Sequence, residues 1–425
     1  MFKNQQGLYI YYGLLLLAMA SLTAVEMAPN AIMRYAFIAA LFLPTAFTSG
    51  WVGPVMALFS TVALQGFAFS FLPSDLDMYA YISLICLLLM FKKMPGKTSI
   101  KPIFIILLIY YAFIDLVTNG EIAFCTYGYI VLFCMILGTD FYDKEGLDRW
   151  SLAFSLASLT LSVLFILNQS NFSTTYDAEA GLERSGWNDA NYFSMVIGMG
   201  IISAITFLNS ERKKTFIEKV VFVTAIAATF IVMVLAASRG AILAVSLAFV
   251  VYIVFSKTKK KYKFLIVLAS IAFLFYLYTN DYFTLLEYRM TNLQGGTVTN
   301  GRADIWKIKL ETFFNEGNIF NWLFGYGYQG GIDLGYKKGF HNDYVAILVE
   351  YGLVGFTIFL TFLLYPLRIA KGKWFADKTF IPAYAYLLLC LCSLEPFTLG
   401  TLAFPMFYIY LLYQAKLIAQ TDYQQ

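Results

Sequence analysis

Charge is scarce in this chain. Asp, Glu, Lys and Arg make up 13% of its 425 residues, where a soluble globular domain carries about 25%, and the shortfall excludes an ordinary water-soluble fold. Histidine is scarcer still, with a single copy at position 341, so no histidine-rich metal site can be assembled. The five cysteines, Cys86, Cys125, Cys134, Cys390 and Cys392, fall in apolar stretches at no metal-ligand spacing, which argues against metal binding and redox work. What is present is apolar. Hydrophobic residues make up 60% of the chain, and mean hydropathy is +0.68.

Windows of about 17–22 apolar residues, the length that crosses a bilayer, fall near 8–25, 31–48, 52–72, 78–91, 102–118, 121–138, 150–168, 190–208, 216–236, 240–256, 263–279, 342–365, 380–394 and 397–415. The stretch Gly7 to Ala20 ends in small residues as a secretory signal does, but apolar segments recur to the C-terminus and it reads as the first span. The expected fold is an all-α integral membrane protein of about 12–14 transmembrane helices. It divides into N-terminal membrane helices over 1–168, a core over 169–365, and C-terminal helices with a cytoplasmic tail over 366–425.

The connections KKMPGKTSIK (92–101), ERKKTFIEK (211–219), KTKKKYK (257–263) and PLRIAKGKWFADK (366–378) concentrate lysine and arginine, and they share one side if both termini are cytoplasmic. The positive-inside rule makes that side the cytoplasm. Arg184, Arg239, Arg289, Arg302 and His341 then land outside. Two outer connections are long enough to carry chemistry, 169–189 and the large loop 280–341, between the spans ending near 279 and starting near 342.

Within the large loop, TNGRADIWKIKLETFFNEG has the pattern of a helix lying flat on the membrane. Asn300 is its expected N-cap, Trp306, Leu310 and Phe313 recur at i, i+4 and i+7, and Lys307, Glu311 and Asn315 turn elsewhere. Arg302 falls in its first turn, where it could help cap a cavity or simply meet lipid phosphates. The stretch GYGYQGG contains a GxGxxG at Gly325, Gly327 and Gly330. That fingerprint binds dinucleotides only between a strand and a helix, so it reads as a flexible loop and no cofactor is expected.

His341 opens the next span, with Asn342 and Asp343 as capping candidates, so its ring belongs at the outer water interface. At about 100° per residue, Gly352 and Gly355 return to within about 40° of its face. Small residues let a neighbouring helix approach, so this face looks into the bundle and His341 points to the mouth of a cavity. Arg239 stands where two spans meet at the outer surface, and Gly240 allows close approach to the amides that begin the next helix. A helix N-terminus with a guanidinium is a ready anion site, since the planar fork matches phosphate oxygens. The alternative is snorkelling, or pairing with Glu179, Glu183 or Asp304.

SRGAILA at 238–244, GRADIW at 301–306, HN at 341–342 followed after nine residues by GLVG at 352–355, and SGWNDANYFSM at 185–195 together resemble the O-antigen ligase and polymerase superfamily of bacterial surface-polysaccharide assembly. The resemblance spans about 180–365. It implies a GT-C-like helical bundle in the bacterial inner membrane with its active site on the periplasmic face. The donor it implies is an undecaprenyl diphosphate-linked glycan and the acceptor a glycolipid or glycan such as lipid A-core, with membrane lipid around them and no nucleic acid. His341 then corresponds to the general base, and Arg239 and Arg302, with Arg184 beside them, to the donor diphosphate site. A diphosphate leaves readily, so positioning, a base and fixed cations suffice. A single displacement inverts the anomeric carbon, and no metal is required.

The roles of Arg289 and of Glu350, nine residues along the histidine helix, stay open, as does the choice between ligase and polymerase, with the histidine spacing leaning toward ligase. A transporter would instead place ionisable groups at the bilayer midplane, often in repeated halves. No internal repeat is visible here, and the polar cluster lies outside.

Overall fold

The computed structural model describes residues 102–120, 144–167, 174–177, 182–185, 190–209, 214–255, 259–291, 301–331, 339–374, 378–394 and 403–420, with isolated positions 14, 15, 40, 122 and 334. The spans expected at 8–25, 31–48, 52–72, 78–91 and 121–138 lie, apart from single positions, outside the described residues.

The described chain is helical except for one hairpin. Its helices are α1 (Pro102–Asn119), α2 (Lys144–Leu167), α3 (Ala190–Asn209), α4 (Phe216–Leu235), α5 (Arg239–Phe255), α6 (Lys260–Thr279), α7 (Thr284–Thr291), α8 (Arg302–Glu316), α9 (Ile319–Phe324), α10 (Asp343–Ile369), α11 (Phe380–Ser393) and α12 (Ala403–Gln420). The hairpin, β1 (Thr174–Asp177) and β2 (Leu182–Ser185), is antiparallel and lies within the connection 169–189, with Thr175 paired to Arg184. Five helices are long and apolar enough to cross a membrane: α1, α3, α4 over Glu218–Leu235, α6 and α10. The protein is an all-α integral membrane protein.

Two compact units interleave along the sequence. The first holds the hairpin, α2 to α7 and residues up to Tyr386 of α11. Its centre is α3, buried without a break from Phe193 to Phe207. A helix apolar on every face must be surrounded, and small residues let the neighbours in. A Cβ at Gly200 would run into the Ser158 side chain, and one at Gly198 into the Tyr386 hydroxyl. Ser151, Ser155, Ser158 and Ser162 form a buried line on α2. The Ser155 and Ser162 hydroxyls donate one turn back to Ser151 O and Ser158 O at 2.7 Å, and Ser162 also reaches Thr229 Oγ1 of α4 at 3.3 Å. Such bonds return the hydroxyls' own polarity to the backbone. α4 starts at a capping box: Thr215 Oγ1 accepts from Glu218 N, and the Glu218 carboxylate accepts from Thr215 N at 2.8 Å. α6 is the opposite of α3. Only Leu277 is buried along it, and Tyr262, Phe264, Leu265, Leu274 and Phe275 are exposed around it, an apolar surface suited to lipid.

The second unit is arranged around α10, which packs against α1, α8, α9 and α12. Phe362 stacks on Tyr408 with centroids 4.1 Å apart, and the Tyr408 hydroxyl donates to Phe362 O at 2.6 Å. α10 is broken at Gly352, which takes φ 66° and ψ −174°. The break strands the carbonyls before it, and each of three finds a donor elsewhere. Tyr326 N reaches Val349 O at 3.1 Å, Gly327 N reaches Glu350 O at 2.7 Å, and the Tyr110 hydroxyl reaches Tyr351 O at 2.9 Å. Gly352 is doubly required, because a Cβ there would overlap the Leu323 carbonyl and Phe324 N of α9.

Two expectations are corrected here. GYGYQGG is a docked loop, locked backbone to backbone on the α10 break. The break also interrupts the 100° count from His341 to Gly352 and Gly355, so the three do not share one continuous helical face. Both glycines nonetheless serve close approach, Gly352 to α9 and Gly355 to the Tyr110 ring.

Candidate active site

In the second unit, α8 begins at Arg302, and its N-cap is Gly301 at φ 73°, not Asn300. A left-handed turn into a helix is glycine's conformation, which is why the boundary falls there. Ile305, Lys309 and Phe313 form the packed side of α8, with Trp306 and Leu310 half-buried beside them. Lys307 and Glu311 face outward, 3.9 Å apart and 71% and 58% exposed. The expected apolar stripe is therefore real, but it contains a fully buried lysine that the spacing argument passed over.

Asn342 is the N-cap of α10, its Oδ1 accepting from Tyr344 N at 2.9 Å and Val345 N at 3.2 Å. Asp343, equally a capping candidate, is instead the first helical residue and buried, and its N–H donates to Leu394 O at 3.2 Å. His341 precedes the cap, half-buried, at φ 50°. A non-glycine residue there is strained by about 1–2 kcal/mol and persists only where its surroundings dictate it. They do so here: Trp306 Nε1 donates to Phe340 O at 2.6 Å, and the Phe340 ring lies buried against Phe313, Ala346 and Val349.

Arg302 Nη1 donates to Ser393 O at 2.8 Å, at the C-terminal end of α11, where helix carbonyls carry partial negative charge. Ser393 and Leu394 are adjacent, so Arg302 and the peptide two residues beyond His341 meet at one corner. Glu350 Oε1 accepts from Gln329 N at 2.9 Å, so this buried carboxylate secures the docked loop. Burial and the Glu316 carboxylate raise the Tyr326 phenol above its ordinary pKa.

In the first unit, Ser238 Oγ donates to Asn191 Oδ1 at 3.1 Å. That bond ties SRGAILA to SGWNDANYFSM, two segments 47 residues apart. Ala237 at φ 48° makes the turn, and Arg239, half-buried, opens α5. Arg184 lies on β2 and Arg289 on α7. Arg239 and Arg184 thus belong to the first unit, Arg302 and His341 to the second. Among the described residues no group of three or more His, Cys, Asp or Glu side chains comes together.

Residues 222–360 match the family model described as O-antigen ligase. The match covers about a third of the chain, and over that stretch the protein is similar to the O-antigen ligase family. It runs from α4 to α10 and takes in Arg239, Arg302 and His341, while Arg184, Asn191 and Ser393 lie outside the match. No curated protein matches the chain. The residues that sequence reasoning missed within the matched segment, chiefly Lys309, carry one signal: a lysine at the middle of an i, i+4, i+8 apolar line.

Proposed function

We propose that this protein transfers a glycan from undecaprenyl diphosphate to an acceptor sugar hydroxyl, on lipid A-core or a similar glycan, at the periplasmic face of the bacterial inner membrane. His341 takes the proton of the acceptor hydroxyl. The freed oxygen attacks the anomeric carbon, the bond from that carbon to the diphosphate breaks, and undecaprenyl diphosphate leaves with the electron pair. Arg239, Arg302 and Arg184 hold the diphosphate and meet its developing charge. One displacement inverts the anomeric carbon, and no step calls for a metal.

The observation that carries this reading is that Arg302 and Asp343 N, two residues beyond His341, bond the adjacent carbonyls Ser393 O and Leu394 O, while the residue before the chain's one histidine is bonded by Trp306. A base and a fixed cation held near one helix end suit group transfer from a good leaving group. The family match over 222–360 supports the same class of chemistry.

The test is the size profile of surface and lipid-linked glycans in a deletion strain complemented with the parent or with His341→Ala. Long chains held on the carrier in the variant support the ligase reading, and an acceptor capped by one repeat unit assigns a polymerase. A variant profile equal to the parent's removes His341 from the chemistry.

A further inference from the structure

Lys309 is fully buried in the second unit. An ammonium taken out of water needs compensation, and a leucine or methionine would fill the same space at lower cost. Two of its contacts fall on Gly331 and Phe340. Nζ donates to Gly331 O at 2.8 Å and lies 4.6 Å from the centre of the Phe340 ring. Gly331 has no side chain because the Phe340 ring and Val349 occupy that space, and so its carbonyl comes within the lysine's reach. One turn earlier on α8, Trp306 bonds the Phe340 carbonyl. Phe340 is therefore fixed by its ring and by its carbonyl from the same helix, and the next residue is His341 at φ 50°.

We propose that Lys309 is a positioning residue for His341: its buried ammonium, anchored on Gly331 O and the face of Phe340, holds the peptide that carries the histidine in its left-handed conformation. A desolvated cation over an aromatic face is a firm, directional contact, and it ties the α8 helix to the docked loop and to the residue before the histidine at once. The functional weight of this inference rests on His341 being the base. Its structural content does not.

Because His341 is the only histidine, ¹⁵N-histidine labelling of the full chain, purified in nanodiscs through a histidine-free tag, reports one ring. Lys309→Met keeps length and packing and removes the charge. It should split or shift the ring resonances, as should Trp306→Phe, while Lys307→Met on the exposed side leaves the parent spectrum. With the lipid-linked glycan extracted from the deletion strain as donor, Lys309→Met should lower kcat about tenfold or more and keep KM within about twofold. A ring spectrum equal to the parent's, or an unchanged kcat, overturns the proposal. If Lys309→Met does not fold, Trp306→Phe decides by the same two readouts. Should His341→Ala transfer at the parental rate, the base reading falls, and the ring spectrum still decides whether Lys309 sets the histidine.

Discussion

Replacing Gly352 with alanine separates two reasons for a glycine at the α10 break. The first is conformational: φ 66° in any L residue with a Cβ is strained by about 1–2 kcal/mol. The second is steric, because the added carbon would meet the Leu323 carbonyl and Phe324 N, backbone atoms that cannot rotate away. α9 must then move, and with it the bonds from Tyr326 N to Val349 O and Gly327 N to Glu350 O, which contribute on the order of 1 kcal/mol each. The sum is about 3–4 kcal/mol. Gly120 supplies the control within the same unit. It has φ 75° and open space around its Cβ position, so Gly120→Ala should show the conformational part alone. The assay is thermal denaturation of detergent-solubilised protein followed by size-exclusion chromatography. Gly352→Ala should melt well below Gly120→Ala and become protease-sensitive in the segment 325–331. Equal melting of the two variants would refute the claim that loop and break are docked backbone to backbone.

Other substitutions probe the remaining contacts. Arg302→Lys keeps a donor for Ser393 O but loses the planar fork, so transfer should fall about tenfold, roughly 1.4 kcal/mol, with little change in melting; a parental rate argues against bidentate recognition of the diphosphate. Ser238→Ala releases Asn191 and should lower stability by about 1 kcal/mol, read as a melting shift that Asn191→Ala does not add to. Gly200→Ala should destabilise because its Cβ meets Ser158, and pairing it with Ser158→Gly should recover most of the loss. Failure of that pair to recover would mean that the close approach of α2 and α3 is not set at Gly200.

Among the described residues several span positions were legible because bilayer thickness dictates them: 190–208 became Ala190–Asn209, and 102–118 became Pro102–Asn119. The apolar line of α8 was legible for the same kind of reason, a fixed period. What was not legible depends on partners distant in sequence. Nothing local marks Gly352 as a break, since an isolated glycine is tolerated in a membrane helix, and only the α9 backbone pressed against it explains the conformation. Asn300 lost the cap to Gly301 because chain direction into α8, not side-chain capacity, decided the boundary. Lys309 reads as one more outward charge until the loop carbonyl and the phenylalanine ring are present. The Ser238–Asn191 bond likewise needs α3 and α5 to be neighbours, which no spacing within either motif states.

The length of α10 has a consequence for where chemistry can occur. Its 27 residues trace about 40 Å of helix in two pieces that join at Gly352, against about 30 Å of hydrocarbon. α1, with 18 residues, runs antiparallel beside it, setting Phe104 against Phe362, Tyr111 against Gly355 and Asp115 against Tyr351. It finishes at Asn119, whose side chain donates to Tyr328 O of the loop bound at Glu350. The same antiparallel offset sets Asn119 level with about residue 347, so α10 continues roughly 6 Å past that end to Asp343. His341 comes before that overhang, so under the proposed reading the base stands clear of the end of α1 rather than between the two helices.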